Sequence, residues 1–256
     1  MSREDVRLNA ASWEAESEAY QGRNAEQLNR WGRLGWGIWD VEEDDVGALG
    51  EVSGLAALEL GCGACQSGIK VAMRGARVTG LDVSARQLHA GLSNMDETGV
   101  RIPVVQASAE EIPFADASFD LVFCDHGATT FTDPSRTIPE VARVLRPGGR
   151  LVFNISTPFI GVFWGEDDEP PGLALRRPYF DAGREVQVDE SGSWVEWRLT
   201  YGEWIRIFRS AGLTIEDLIE LRPGPGADRT TYTDYASAAW ARDYPGEHIW
   251  ELRKAG

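Results

Sequence analysis

Between Leu58 and Gly68 the chain reads LELGCGACQSG, a glycine-bearing turn between an apolar run and an amphipathic stretch. A backbone that turns sharply from strand into helix needs residues that tolerate positive φ, and a ligand lying on the turn needs residues without side chains. Gly61 and Gly63 meet both needs. Asp82 closes the next strand-like run, where a carboxylate can accept both ribose hydroxyls of an adenosine. The dinucleotide fingerprint G-x-G-x-x-G wants a third glycine where this chain has Gln66. Glu59 sets a carboxylate beside what would be the pyrophosphate position, which repels phosphate and suits an ammonium or a sulfonium. The pattern predicts an adenosine-containing ligand at the carboxyl edge of a sheet, against the competing reading of an ordinary tight turn.

Further along, His126 stands in CDHGA directly after the apolar run FDLVFCD (119 to 125), so it falls at the same edge. An imidazole is poised for proton transfer near neutral pH, which makes His126 a candidate general base; a histidine that merely caps a turn is the alternative. Asp125 beside it could orient the ring or meet an ammonium group, or serve the backbone. Cys62 and Cys65 form a C-x-x-C, but no second pair or H-x-x-H completes a tetrahedral site, and no metal is expected.

These residues need a scaffold, and its elements are legible from Leu55 onward. LAALEL (55 to 60), ARVTGLD (76 to 82), RIPVVQ (101 to 106), FDLVFCD (119 to 125) and RLVFNIS (150 to 156) read as strands. CQSGIKVAMRG (65 to 75), SARQLHAGLSNMDETG (84 to 99) and DPSRTIPEVARVLRPGG (133 to 149) read as the intervening helices, the last closed by Pro147 and two glycines. Such alternation argues for a parallel sheet covered by helices on both faces. From Pro158 to Ser193 the period breaks around four prolines, which marks an insertion. YGEWIRIFRSAGL (201 to 213) is an amphipathic helix stopped at Gly212, and TIEDLIEL (214 to 221) and HIWELRK (248 to 254) are the final strands. The first 50 residues look helical and lie outside the βα repeat.

Composition bounds the function. The 256 residues carry a formal net charge of -16, which opposes a phosphate backbone, and the densest basic pair, Arg176 and Arg177, follows an acidic run from Glu166 to Glu169. No nucleic acid partner is expected. Three cysteines are too few for a disulfide scaffold, the N-terminus is acidic and polar where a signal peptide would be apolar, and no apolar run approaches membrane length, so a cytoplasmic protein without a membrane span is expected.

Taken together, ELGCG with Asp82, ASAEEIPFADASFDLVFCD (107 to 125) and EVARVLRPGGRLVF (140 to 153) resemble the class I S-adenosylmethionine-dependent methyltransferases of the UbiE-like group, over about residues 55 to 156. The resemblance implies an α/β, Rossmann-like, seven-stranded and mostly parallel sheet whose last strand is antiparallel. It further implies S-adenosyl-L-methionine as cofactor, within one domain made of a helical cap (1–50), a cofactor-binding core (55–156), an insertion or lid after strand 5 (157–200) and a C-terminal helix and strands (201–256). Carried over by position, Glu59, Gly61 and Gly63 would line the methionine half, Asp82 the ribose, Val83 and Gln87 the adenine, with Ala109 and Glu110 flanking the adenine amino group. Ser108 stands where the family often has Asp. Tyr20 matches an N-terminal tyrosine that covers the cofactor in related enzymes, with helix packing as the alternative.

Ten tryptophans are many for this length, and Trp36, Trp39, Trp164, Tyr179, Phe180, Trp194 and Trp197 fall in the cap and the insertion. As a set they favour a small, apolar or aromatic acceptor under a lid. A homodimer is compatible with this reading. The competing functions are a cofactor-binding protein or partner subunit that does not methylate, a nicotinamide-dependent oxidoreductase, which Gln66 disfavours, and an RNA methyltransferase. Calorimetric titration with S-adenosylhomocysteine checks the cofactor reading: tight binding is expected, weakened by about 1.5 to 3 kcal/mol in Asp82→Ala, the range for a hydrogen bond to a charged group. Absence of any binding heat would end it.

Overall fold

The alternating apolar and amphipathic stretches form the elements that the spacing predicts, with three corrections. The computed structural model describes residues 3–165, 170–189 and 192–256, so the acidic run at 166–169 and a short part of the expected insertion lie outside it. In chain order, α1 (Arg3–Leu28) leads to a short antiparallel pair, β1 (Gly35–Trp36) and β2 (Val41–Glu42), and a single turn, α2 (Glu43–Val46). There follow β3 (Ala56–Leu60), α3 (Gln66–Met73), β4 (Arg77–Asp82), α4 (Ala85–Thr98), β5 (Val104–Gln106), β6 (Phe119–Asp125), α5 (Gly127–Phe131), α6 (Pro134–Val144) and β7 (Leu145–Ser156). A hairpin, β8 (Gly183–Asp189) and β9 (Gly192–Arg198), precedes α7 (Tyr201–Ser210), β10 (Leu213–Glu220), α8 (Ala238–Asp243) and β11 (Glu247–Lys254).

Seven strands form one sheet in the order β10-β11-β7-β6-β3-β4-β5. β3 to β7 run parallel, and β11, last in the chain, lies antiparallel to both β7 and β10. This is the expected Rossmann-like α/β sheet. Growth of the sheet reverses between β3 and β6: β4 and β5 are added on one side, β6 and β7 on the other. Loops leaving neighbouring strands at such a reversal diverge and open a crevice at the carboxyl edge.

Period-2 alternation supplies both faces of the sheet. Ala57, Leu121, Val152 and Ile249 point to one side and pack with Ile69, Val71 and Met95. Leu58, Val122, Phe153 and Trp250 point to the other and pack with Val141, Trp204 and Phe208. The helices begin where the sequence offers caps: Ser84 Oγ accepts from Gln87 N at 3.2 Å, Asp133 Oδ1 from Ser135 N at 2.9 Å ahead of Pro134, and Thr200 and Glu203 form a reciprocal capping box.

The first correction is at α6. The spacing predicts a helix to Gly149, but it stops at Val144, and Leu145 already pairs with Phe119 in extended backbone. Pro147 disfavours helical geometry at the residue before it, so the helix ends ahead of the proline rather than at the glycines. Second, the cap is helical only through α1 and the turn α2. Between them Gly35 and Gly37 let the backbone pass close to other groups: a Cβ on Gly37, at φ +67°, would lie 2.2 Å from a Glu247 oxygen. Third, the insertion carries the β8–β9 hairpin, whose alternating Val186/Val188 and Trp194/Glu196 pattern was readable as strand.

α1 is held by hydrogen bonds more than by an apolar stripe. Buried Asn9 pairs with Val195 as a strand would, accepting from its N at 2.6 Å and donating to its O at 2.9 Å. Gln27 donates to Ile38 O at 3.1 Å and accepts from Thr231 N at 3.0 Å, and Arg184 forks onto Asp5.

Phe208 is fully buried and has ring centroids of Trp250, Trp204 and Phe153 at 5.1, 5.5 and 6.0 Å. Phe208→Ala leaves a cavity the rigid sheet cannot close and is expected to cost about 3 to 5 kcal/mol of stability, measured by denaturant unfolding.

Candidate active site

The turn after β3 is locked from two sides. Gly61 N and Cys62 N both donate to Leu81 O, at 2.8 and 3.0 Å, and Gly63 N donates to Asp82 Oδ2 at 2.8 Å. Asp82 Oδ1 accepts from Ser84 N at 2.8 Å. Each carboxylate oxygen therefore keeps a lone pair for a further donor. Burial pushes the Asp82 carboxyl up, against the pull of the Ser84 and Gly63 amides. Gly61 has φ +64°, and a Cβ there would lie 2.2 Å from Ala128 N; Gly63 has φ +51° and open space. The C-x-x-C thiols face each other, with Cys65 Sγ 3.7 Å from Cys62 Sγ. That contact and burial push the Cys62 thiol well up.

Under this turn sits Glu59, almost fully buried, with Oε2 lacking any partner. Desolvation is the main reason its carboxyl lies well above the usual range, with Cys65, Asp82 and Asp125 adding to the effect. Gly68 carries no signal of its role in the sequence pattern. A Cβ there would lie 2.4 Å from Glu59 Oε2, so this helical glycine, two residues past the fingerprint position held by Gln66, provides the close helix–strand approach. Gln66 instead starts a chain that ties the cap over the turn. Its Nε2 donates to Gln21 Oε1 at 2.7 Å, and Gln21 Nε2 donates to Gln87 Oε1 at 2.9 Å.

His126 has φ +57° and follows β6. Its Nε2 is bonded to Glu247 Oε1, and Glu247 is wholly buried. Glu247 also accepts from Ile38 N at 3.0 and 3.1 Å and from Asn154 Nδ2 at 3.1 Å. Burial alone would lower the imidazole pKa; the bond to Glu247 and the charges of Glu247, Asp125 and Glu196 outweigh it and raise it. Asp125 does not touch the ring. Its oxygens accept from Gly37 N at 3.1 and 3.0 Å and from Asn154 Nδ2 at 2.8 Å, so it fixes the cap to the sheet edge. Glu247 lies one residue ahead of the strand that the sequence predicts and opens β11 in the structure.

A cavity of about 1680 Å³ runs along this edge. One drug-sized ligand fills roughly 300 to 1,000 Å³, so a cofactor and a second molecule fit together. Tyr20, Glu59, Gly61, Gly63, Asp82, Val83, Gln87, Ala109, Asp125 and His126 all line it. Glu110 does not: its Oε1 accepts from Asp133 N at 3.0 Å and its Oε2 lies 3.5 Å from Arg136 Nε, so its carboxylate serves the start of α6. Tyr20 reaches Tyr232 across the cavity, hydroxyl to hydroxyl at 2.6 Å. Of the expected lid aromatics, Trp164, Trp194 and Trp197 line the cavity. Trp36 and Trp39 are packing residues, Tyr179 OH accepts from Tyr201 N, and Phe180 is 86% exposed.

The residues present fit S-adenosylmethionine. The buried Glu59 carboxylate lies on the cavity wall with Oε2 against Gly68 of α3, and Asp82 retains acceptor capacity one strand away. A ligand ammonium near Glu59 favours its ionised form, so binding draws the carboxyl back down and releases a proton. S-adenosylhomocysteine affinity is therefore expected to rise with pH through the elevated Glu59 range, with proton release visible by calorimetry in buffers of different ionisation enthalpy. Glu59→Gln should abolish both.

Comparison with known proteins agrees with this geometry. Residues 58–153 match the family model described as a methyltransferase domain. A ubiquinone biosynthesis O-methyltransferase of Pseudomonas fluorescens is 30% identical over 197 residues, 73% of this chain and 78% of that protein. A demethylmenaquinone methyltransferase of Mycolicibacterium gilvum is 39% identical over 107 residues, 41% of this chain and 44% of that protein, so the chain spans less than half of that relative. Among solved structures, an S-adenosylmethionine-dependent methyltransferase from Mesorhizobium loti shares the fold, with a TM-score of 0.65, 23% identity, and coverage of 82% of this chain and 95% of that one. With the glycine turn, Asp82 and the reversed sheet in place, the chain belongs to the class I S-adenosylmethionine-dependent methyltransferases.

Proposed function

We propose that this enzyme, which transfers a methyl group from S-adenosylmethionine to a small molecule, takes an aromatic acceptor of the phenol or quinol kind. The observation that carries the reading is the aromatic share of the cavity lining. Trp13, Phe131, Trp164, Trp194, Trp197 and Tyr235 all line it, and flat aromatic walls match a ring in both shape and desolvation. The names of the two curated relatives, a ubiquinone O-methyltransferase and a demethylmenaquinone methyltransferase, support a ring acceptor.

S-adenosylmethionine supplies a methyl already activated as a sulfonium, so the protein's work is alignment, exclusion of water and proton removal. In this reading Asp82 holds the ribose hydroxyls, and Val83, Gln87 and Ala109 border the adenine. Gly61, Gly63 and Glu59 take the methionine half, Asp125 anchors the cap beside it, and Tyr20 with Tyr232 closes over it. His126 is the base. The net charge of -16 argues against nucleic acid, the reading places the enzyme in the cytoplasm with the four-part single-domain layout, and it permits a homodimer. Among the described residues no helix is long and apolar enough to cross a membrane.

Incubation with methyl-labelled S-adenosylmethionine and a panel of phenols, catechols and quinols, with aliphatic amines and tRNA as alternatives, tests the proposal. Label is expected in the ring compounds. Label confined to amines or tRNA would contradict it.

A further inference from the structure

The pairing of His126 with Glu247 allows a more specific statement about the chemistry, one that rests on the aromatic-acceptor reading above. Glu247 opens β11, the antiparallel strand slotted beside β7, and no part of it reaches solvent. Among the described residues, each hydrogen-bond partner of its carboxylate is a donor: the Ile38 amide, the Asn154 amide and the His126 ring. With its oxygens already accepting from the two amides, the Glu247 carboxylate is the acceptor in the bond to His126 as well, and the hydrogen on that bond belongs to Nε2. That fixes the tautomer. Nδ1 keeps its lone pair, accepts no hydrogen bond from the described residues, and belongs to a side chain 24% exposed on the cavity wall. The backbone just after His126, at Gly127 and Ala128, touches Gly61 of the cofactor turn, so the base stands next to the methionine half.

We propose that Glu247 is a positioning residue that holds His126 with its Nδ1 lone pair toward the acceptor, and that the acceptor atom is a hydroxyl oxygen. A neutral hydroxyl is a poor nucleophile and must lose its proton as it attacks, whereas an amine attacks through a free lone pair and sheds its proton afterwards. A preset base adjoining the methyl donor serves the first case and is superfluous in the second. In the step, the O–H bond electrons stay on oxygen as Nδ1 takes the proton. An oxygen lone pair forms the O–CH3 bond, and the C–S bond pair stays on sulfur, giving S-adenosylhomocysteine. Glu247 stabilises the resulting imidazolium, which returns its proton to solvent. The charged groups facing the ring are Glu247 from β11, Asp125 from β6 and Glu196 from β9, with His248 nearby held neutral.

The test combines titration and kinetics on the full chain. In histidine-labelled protein, nuclear magnetic resonance should find His126 protonated on Nε2 in its neutral form and titrating above the ordinary imidazole value of about 6.5. In Glu247→Gln the titration should move to lower pH. With a phenolic acceptor, Glu247→Gln should lower the kcat plateau about ten- to a hundredfold and move the acid limb of the pH profile downward, with KM for S-adenosylmethionine little changed. Glu247→Asp, which keeps the charge, should restore part of both. A purely structural role lowers the plateau without moving the limb, and that result would overturn the assignment. So would an unpaired Nδ1-protonated tautomer in the wild-type chain, which is readable even if the Gln variant does not fold. The methylated product separates the two readings: methyl on ring carbon would remove the oxygen claim and leave the aromatic acceptor standing, whereas no transfer to any ring compound alongside the shifted titration would remove the acceptor reading.

Discussion

Two loops leave the sheet at the point where its growth reverses, and they touch backbone to backbone. A Cβ on Gly61 would lie 2.2 Å from Ala128 N, and one on Gly127 would lie 2.4 Å from Gly61 O. This contact sets the geometry of everything beside it. It places the turn after β3, the acid that closes β4 and the imidazole that follows β6 around one crevice, and it does so without side chains, leaving room for a ligand. Electrostatics then follow from burial. Glu59, Asp82 and Asp125 all have carboxyls raised by desolvation, an arrangement that is costly in the free protein and favourable once a cationic ligand arrives.

The acidic groups at the crevice also hold the cap. Asp125 takes the Gly37 amide, Glu247 takes that of Ile38, and Asn154 bridges the two carboxylates. The segment that borders the crevice is therefore fastened by residues of the crevice itself. On the other side Gln21 links Gln66 and Gln87, which joins α1 to α3 and α4. Opening the cap breaks hydrogen bonds to partly buried groups, and the Tyr20–Tyr232 contact reaches across the cavity itself.

What could be read from the sequence follows the range of each interaction. The glycine turn, Asp82 and the strands from Leu55 to Ser156 are local patterns of apolar period and turn chemistry, and they were legible. The polar face of α1 was not, because Asn9 and Gln27 are buried through hydrogen bonds to β9, Ile38 and Thr231, and no apolar stripe announces them. By position Glu110 reads as a cofactor residue, but the amide of Asp133 donates to its carboxylate. Glu247 lies 121 residues from its partner His126, and only the antiparallel insertion of β11 beside β7 brings them together. Gly68 was visible as a glycine, yet its purpose depends on the orphaned oxygen of Glu59 beneath it.

The central claim is that the glycine turn and Asp82 jointly hold the adenosyl cofactor at the reversal of the sheet. A crystal structure with S-adenosylhomocysteine tests it most directly. The account predicts both ribose hydroxyls within about 2.6 to 3.2 Å of the Asp82 carboxylate, ordinary hydrogen-bonding reach, and the amino acid portion over Gly61 and Gly63. A ligand bound elsewhere on the chain, or one whose ribose turns away from Asp82, would contradict it.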